Sequence, residues 1–449
     1  MTRFLKINNF FFIIILVTTY SIIPNYFMVA DFMIRDLIAI VCIMGSFLLS
    51  FDKSIHIRRR NMFLIGAIVI WIGITAIVQI YHRDYLFAMK QIFFWGAVIF
   101  WSINVVNTRE RFLFLVDLII GIGTVIGIFA IIESFTHFNI FSLLNNSGAV
   151  LNYNPPRFGI LRSISFTSHA ITYTVYCMFV LALVTYRLTN SEPSKRRTYL
   201  IKGAIIFISA FFALSRAPLL TIVISQFLLV WFMGLKRFLK ITFRVAIIAT
   251  FVIAVAYFLS DGARQIIHLA YYTVMVFFSD EYVVHLLAAG FTDNVAGIGN
   301  RLDLYGWVYE GVRENLIAGM GRLTPFEHRF RRDWFVVTKR SIEVEWLRTL
   351  WRYGIVGLSV QLIFFVTLLK STWSNKLISI STWENKICFS RCYFALLVSY
   401  VIVLFTVMMN QDEQMLLIFT GLFLSYVHHN GFNGTAINHK EKVEERLEV

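Results

Sequence analysis

Apolar runs long enough to cross a bilayer recur along almost the whole chain, separated mostly by short polar stretches. Hydrocarbon offers the backbone no hydrogen-bond partners. A run of roughly 20 apolar residues therefore has to close its own bonds as a helix. That recurrence excludes an ordinary soluble domain. Twelve spans fit the pattern, at about 9–29, 33–51, 62–81, 85–106, 112–134, 169–188, 199–214, 217–235, 245–259, 353–370, 392–410 and 415–428. Composition agrees: 58% of the 449 residues are hydrophobic and 15% are charged, against about 25% charged in soluble domains. The predicted class is an all-α polytopic membrane protein.

The net charge of +15 does not imply nucleic acid, because most cations sit in short loops between apolar runs. Alternate loops are basic, among them "DKSIHIRRR" (52–60), "NTRER" (107–111), "SEPSKRR" (191–197) and the stretch 370–391. Their opposites, "HRD" at 82–84 and "NQDEQ" at 410–414, are short or poor in cations. The positive-inside rule makes the basic set cytoplasmic and puts both termini inside. Cys42, Cys177, Cys388 and Cys392 all lie in or beside apolar runs, which argues against a disulfide framework. The first run, Phe10 to Ile23, has no small-residue cleavage site after it and reads as a retained first helix. The chain divides into 1–134 (spans 1–5), 135–259 (spans 6–9 with an outer loop at 135–168), a large outer loop domain at 260–352, and 353–449 (spans 10–12 and a tail).

The large loop holds ten Arg and one Lys against eleven carboxylates, and its segments 266–278 and 282–291 read as interfacial helices. Long loops escape the positive-inside bias, and a salt-bridged surface accounts for many of these charges. The preference for Arg is more informative, since guanidinium grips phosphate oxygens in bidentate fashion and Lys is a point charge. Arg216 stands between two apolar runs with almost no loop. An arginine there must snorkel, pair or line a cavity. Arg157 and Arg162 occupy the other outer loop. Together with Arg301 they would close a cationic cavity suited to a lipid-linked phosphate or pyrophosphate. Just before span ten come Glu343 and Glu345, with Asp303 behind them. Carboxylates half-buried at an interface suit proton abstraction. In a helix over 341–353, Glu345, Arg348 and Arg352 would share one face and pair, while Glu343 would point elsewhere. No Gly-rich phosphate loop, His-Glu-x-x-His or spaced Cys/His set is present, and the acidic pairs Asp280-Glu281 and Asp412-Glu413 have no third ligand in view, so the residues give a metal or cofactor little support.

"SRAPLL" (215–220), "GNRLDLYGWVYEGVRENLIAGMGRLTPF" (299–326) and "IEVEWLRTLWRYGIVGL" (342–358) resemble, in order and spacing, the bacterial O-antigen polymerase and O-antigen ligase superfamily. "LRSISFTSHAITY" (161–173) is similar to the family's segment before its sixth span. The resemblance implies a metal-independent, inverting glycosyltransferase. It would act on undecaprenyl-pyrophosphate-linked oligosaccharide at the outer face of the bacterial inner membrane, among membrane lipids and beside a chain-length regulator. It also implies that Arg216 and Arg301 hold pyrophosphate, with Arg157, Arg162 and Arg322 as further candidates. Where the ligase-type motif carries histidine and asparagine, this chain has Glu343 and Val344. That departure favours polymerase over ligase. A flippase for the same lipid-linked units is the alternative of another class, although no internal repeat of the kind many transporters show is visible.

Overall fold

The structure is a computed structural model. It describes residues 2–24, 26–29, 32–48, 59–146, 161–234, 299–332, 335–374, 384, 387–407 and 412–429, with isolated residues between 236 and 285. Twelve helices are delimited among the described residues: α1 (Thr2–Ile22), α2 (Ile34–Leu48), α3 (Arg59–Tyr81), α4 (Tyr85–Asn104), α5 (Arg109–Thr136), α6 (Ala170–Asn190), α7 (Pro193–Phe212), α8 (Arg216–Phe232), α9 (Gly299–Val312), α10 (Glu345–Ser374), α11 (Phe389–Val403) and α12 (Asp412–His428). Five stretches are long and apolar enough to cross a membrane: Met62–Tyr81, Tyr85–Asn104, Arg109–Thr136, Ala170–Asn190 and Glu345–Trp373. Phe10–Ile22, Ala217–Phe232, Phe389–Val403 and Gln414–His428 are shorter apolar helices. The architecture is that of a helical membrane protein. The expected span at 245–259, the interfacial segments at 266–278 and 282–291, and Arg157 lie outside the described residues, isolated positions apart.

Helix α6 is the axis of the bundle. Every residue from Thr172 to Val184 is buried, as expected of a helix apolar all round and enclosed by others. It packs against α5, α7, α8, α11 and α12. Gly123 lets α5 come close, since a Cβ there would stand 2.8 Å from Val180 Cγ1; small residues serve helix contact in membranes this way. Aromatic rings fill the interior, with Phe179 edge-on to Tyr400 and Phe419 at 5.3 and 5.0 Å.

The two ends of the bundle differ. One collects the basic turns at 107–111 and 191–197 with the buried carboxylate of Glu384. Glu384 accepts hydrogen bonds from Tyr186 Oη at 2.7 Å, Tyr426 Oη at 2.6 Å and the Phe389 amide at 3.1 Å. A buried carboxylate needs such donors, and these three tie α6, α11 and α12 together. The opposite end gathers the 82–84 turn, segment 161–169, the α7–α8 junction and the start of α10.

The all-α expectation needs one amendment, for two short antiparallel hairpins. β1 (Met28–Val29) pairs with β2 (Phe32–Met33). β3 (His328–Arg332) pairs with β4 (Phe335–Lys339), with His328 opposite Lys339 and Arg332 opposite Phe335. The second hairpin leads straight into α10. That helix starts at Glu345, eight residues before the apolar run the sequence marks as span ten, so the charged prelude is itself helical.

Candidate active site

Helix α10 is broken near its start. Gly354 has φ 64° and ψ −165°, backbone that only glycine adopts at low cost. The break frees carbonyls at the end of a short first helix and amides at the start of the second. The loop after α9 pairs with both. Amides of Met320 and Gly321 donate to Trp351 O (2.6 Å) and Arg352 O (3.2 Å), while Leu316 O and Ile317 O accept from Ile355 N (2.8 Å) and Val356 N (3.4 Å). Contact is backbone against backbone: a Cβ on Gly319 would lie 2.5 Å from Gly354 N. The Gly-Met-Gly turn and the Gly-Ile-Val-Gly-Leu stretch are thus two halves of one joint.

The "HRD" turn braces this joint. Asp84, which begins α4, accepts from Arg322 Nε at 2.5 Å and Nη2 at 3.2 Å. Its carboxylate is buried, and the guanidinium also covers the Phe87 ring at 4.5 Å. Arg322, a pyrophosphate candidate from the sequence, therefore holds the loop to α4.

Segment 161–169 is anchored by Glu133 in the last turn of α5. Its Oε1 accepts from Asn139 Nδ2 (3.0 Å) and Ile164 N (3.2 Å), and its Oε2 from Ser165 N (2.8 Å). This carboxylate shapes a turn in which Ser165 takes φ 52°. Arg162 is buried at 6% exposure, with Nε donating to Ala213 O (3.1 Å) and Nη2 to Ser215 Oγ (3.0 Å). It fastens the segment to the α7–α8 junction, immediately before Arg216, the first residue of α8.

His169 precedes α6 as its N-cap, its Nδ1 accepting from Ile171 N at 3.1 Å. Burial first, then the Arg162 guanidinium, holds its imidazole below the ordinary histidine range, while Glu343 acts in the opposite sense. A neutral ring with Nδ1 as acceptor carries its proton on Nε2. His169 was not a candidate from sequence, where it was one of several single histidines. The structure puts it within electrostatic reach of both Arg162 and Glu343.

Glu343 itself pairs with Lys339 at 2.5 Å and is 41% exposed. Glu345 pairs with Arg348 at 3.5 Å, with side-chain exposures of 10% and 16%, and accepts from Thr349 Oγ1 at 3.4 Å. The carboxylates two residues apart thus part ways, Glu343 toward the hairpin and Glu345 into the bundle. Asp303 lies exposed on the first turns of α9. Arg301 is on the same turns. Beside Glu345, a cavity of about 50 Å³ opens between α3, α4 and α10.

The described residues thus form a helical membrane bundle with a broken helix and several arginines gathered at one end. Residues 203–362 match the family model described as O-Antigen ligase. That match supports the O-antigen polymerase and ligase superfamily, a class of glycosyltransferase-like enzymes that process lipid-linked glycans. The matched stretch contains Ser215, Arg216, Arg301, the 319–321 turn, Glu343 and the break at Gly354. No curated protein matches the chain.

Proposed function

We propose that this protein polymerises polysaccharide repeat units of O-antigen or capsule type, moving glycan from undecaprenyl pyrophosphate to a sugar hydroxyl at the outer face of the inner membrane. The observation that carries the reading is Glu343 in electrostatic reach of a neutral His169, beside the junction where Arg162 seats Ser215 and Arg216 begins α8. In the proposed step the acceptor oxygen attacks the anomeric carbon and inverts it. The bond from that carbon to the pyrophosphate oxygen breaks, and the electron pair leaves with the phosphate. The hydroxyl proton passes to Glu343 once the acceptor displaces Lys339. Arg216 and Arg301 stabilise the departing charge, as preorganised cations do where charge develops.

Ligation of glycan onto lipid A core is the second reading, favoured by the description of the matched family; Glu343 in place of the ligase-type histidine weighs against it. A chain-length regulator is the protein partner the polymerase reading implies. The test is direct. Purified protein in nanodiscs, given lipid-linked repeat unit and a chelator, should produce a ladder of polymers without added lipid A core. Product that forms only with lipid A core establishes the ligase. Loss of turnover on chelation removes the metal-free mechanism. Translocation of intact lipid-linked units without transfer would make the protein a flippase.

A further inference from the structure

The cavity beside Glu345 is built for an anion, and none of the roles above uses it. Its charged wall is the first segment of α10, where Arg348 and Arg352 stand one turn apart. Arg348 has Glu345 as its counterion. The Arg352 guanidinium makes no hydrogen bond or ion pair among the described residues, although Arg348 and Arg322 are near enough to repel it and Glu345 to attract it. Arg352 thus presents a guanidinium to the cavity wall without an ion-pair partner among the described residues, a group that an anion can engage in bidentate fashion.

A second observation concerns the opposite requirement. Gln361 lines the same cavity, is 2% exposed, and its Oε1 has no hydrogen-bond partner. A buried orphan acceptor needs an explanation. Here it faces a space lined by Trp71 and Phe87. Guanidinium donors, a lone acceptor and aromatic walls together fit a sugar that carries both a negative group and hydroxyls. A phosphodiester group, which has no O–H, would satisfy the arginines and leave Gln361 without a donor. The volume of about 50 Å³ admits a single carboxylate or phosphate group and part of a ring. It suits no pyrophosphate with its lipid.

We infer that the cavity between α3, α4 and α10 seats an acidic substituent of the acceptor glycan, so that the enzyme selects repeat units bearing a carboxylate or phosphate. The inference rests on the glycan-transfer reading and adds its substrate class.

The experiment compares two forms of the glycan lipid extracted from the source cells: native, and with carboxylates reduced to alcohols. Binding to the nanodisc-embedded protein is read by calorimetry, separately from turnover. The expected result is that native glycan binds roughly ten- to hundredfold tighter than the reduced form, and that Arg352→Gln abolishes most of that difference. Inorganic pyrophosphate and phosphatidylglycerol vesicles are the competing probes. Competition by either, abolished in Arg352→Gln, would assign the cavity to the donor or to lipid and overturn the inference. A repeat unit without carboxylate or phosphate would overturn it as well. Equal binding of native and reduced glycan overturns it if the repeat unit carries no phosphate; if it does, the same comparison is read on dephosphorylated glycan. Acid-dependent binding without any glycan transfer would leave the cavity assigned and remove the proposed function instead.

Discussion

At the scale of single residues, Glu343 and Glu345 separate chemistry from support. Glu343 is half-exposed with one lysine partner, and Glu345 is nearly buried against Arg348 and Thr349. Glu343→Gln keeps size and polarity but cannot take a proton, so turnover should fall roughly 10²–10⁴-fold while the thermal midpoint stays put. Glu345→Gln weakens its pairing with a near-buried arginine and should lower stability by about 1–3 kcal/mol. Melting and single-turnover assays on the two variants separate these outcomes; identical profiles would deny Glu343 its role. Glu133 shows what sequence conceals. Its partners are two amides some thirty residues downstream and one asparagine, and no spacing rule connects them. In the sequence it is one of two carboxylates, with Asp117, in the apolar run 112–134. Glu133→Ala strands those buried donors and should cost about 3 kcal/mol. Unchanged melting would show that water replaces the carboxylate there. Arg162 illustrates the converse: the sequence marked it as a cation for substrate, and its guanidinium is found fastening 161–169 to Ala213 and Ser215.

At the scale of elements, the positions of α1 to α8 and α10 to α12 were legible because apolar runs carry a strong, long-period signal. The hairpin β3–β4 was not. Its strands "HRFRR" and "FVVTK" are too short and too charged for alternation to stand out. The helical prelude to span ten was legible from the spacing of Glu345, Arg348 and Arg352, and the helix is found to begin at Glu345, ahead of the apolar run from Gly354. Neither feature could show that Gly354 breaks the helix and that the 316–321 loop completes it. That joint is testable. At Gly354 a Cβ would meet Ile317 O at 2.2 Å, on backbone of positive φ. Gly354→Ala should therefore cost about 3 kcal/mol or more and should free the 316–321 loop for proteolysis. Gly306→Ala, on α9 with nothing within 4 Å of its Cβ, is the matched control and should leave both readouts unchanged. Wild-type melting in Gly354→Ala would mean that the helix runs straight through.

At the scale of the whole molecule, the structure sorts the chain into two ends without saying which faces the cytoplasm. The end formed by 107–111, 191–197 and Glu384 carries basic turns. The other carries Arg162, His169, the Gly354 joint and the anionic cavity. Cations at the first end orient a chain during insertion, so it should lie inside. Arg322, Arg348 and Arg352 fall in the expected outer loop 260–352, which is long enough to be translocated despite its charge. Polyprenyl-linked glycans delivered to the outer face would then meet the guanidiniums without crossing the bilayer again. The assignment makes a specific demand on the chain. Reporter fusions at Ser194, in the 191–197 turn, and at Asn300, at the start of α9, should report opposite compartments, Ser194 cytoplasmic and Asn300 external. A reporter active only outside, paired with one active only inside, reads both positions in the same cells. Opposite compartments with the signs exchanged would invert the molecule and place the candidate site where no lipid-linked donor is presented. Matching compartments would mean that the stretch 235–298 crosses the membrane an even number of times, against the single span expected at 245–259.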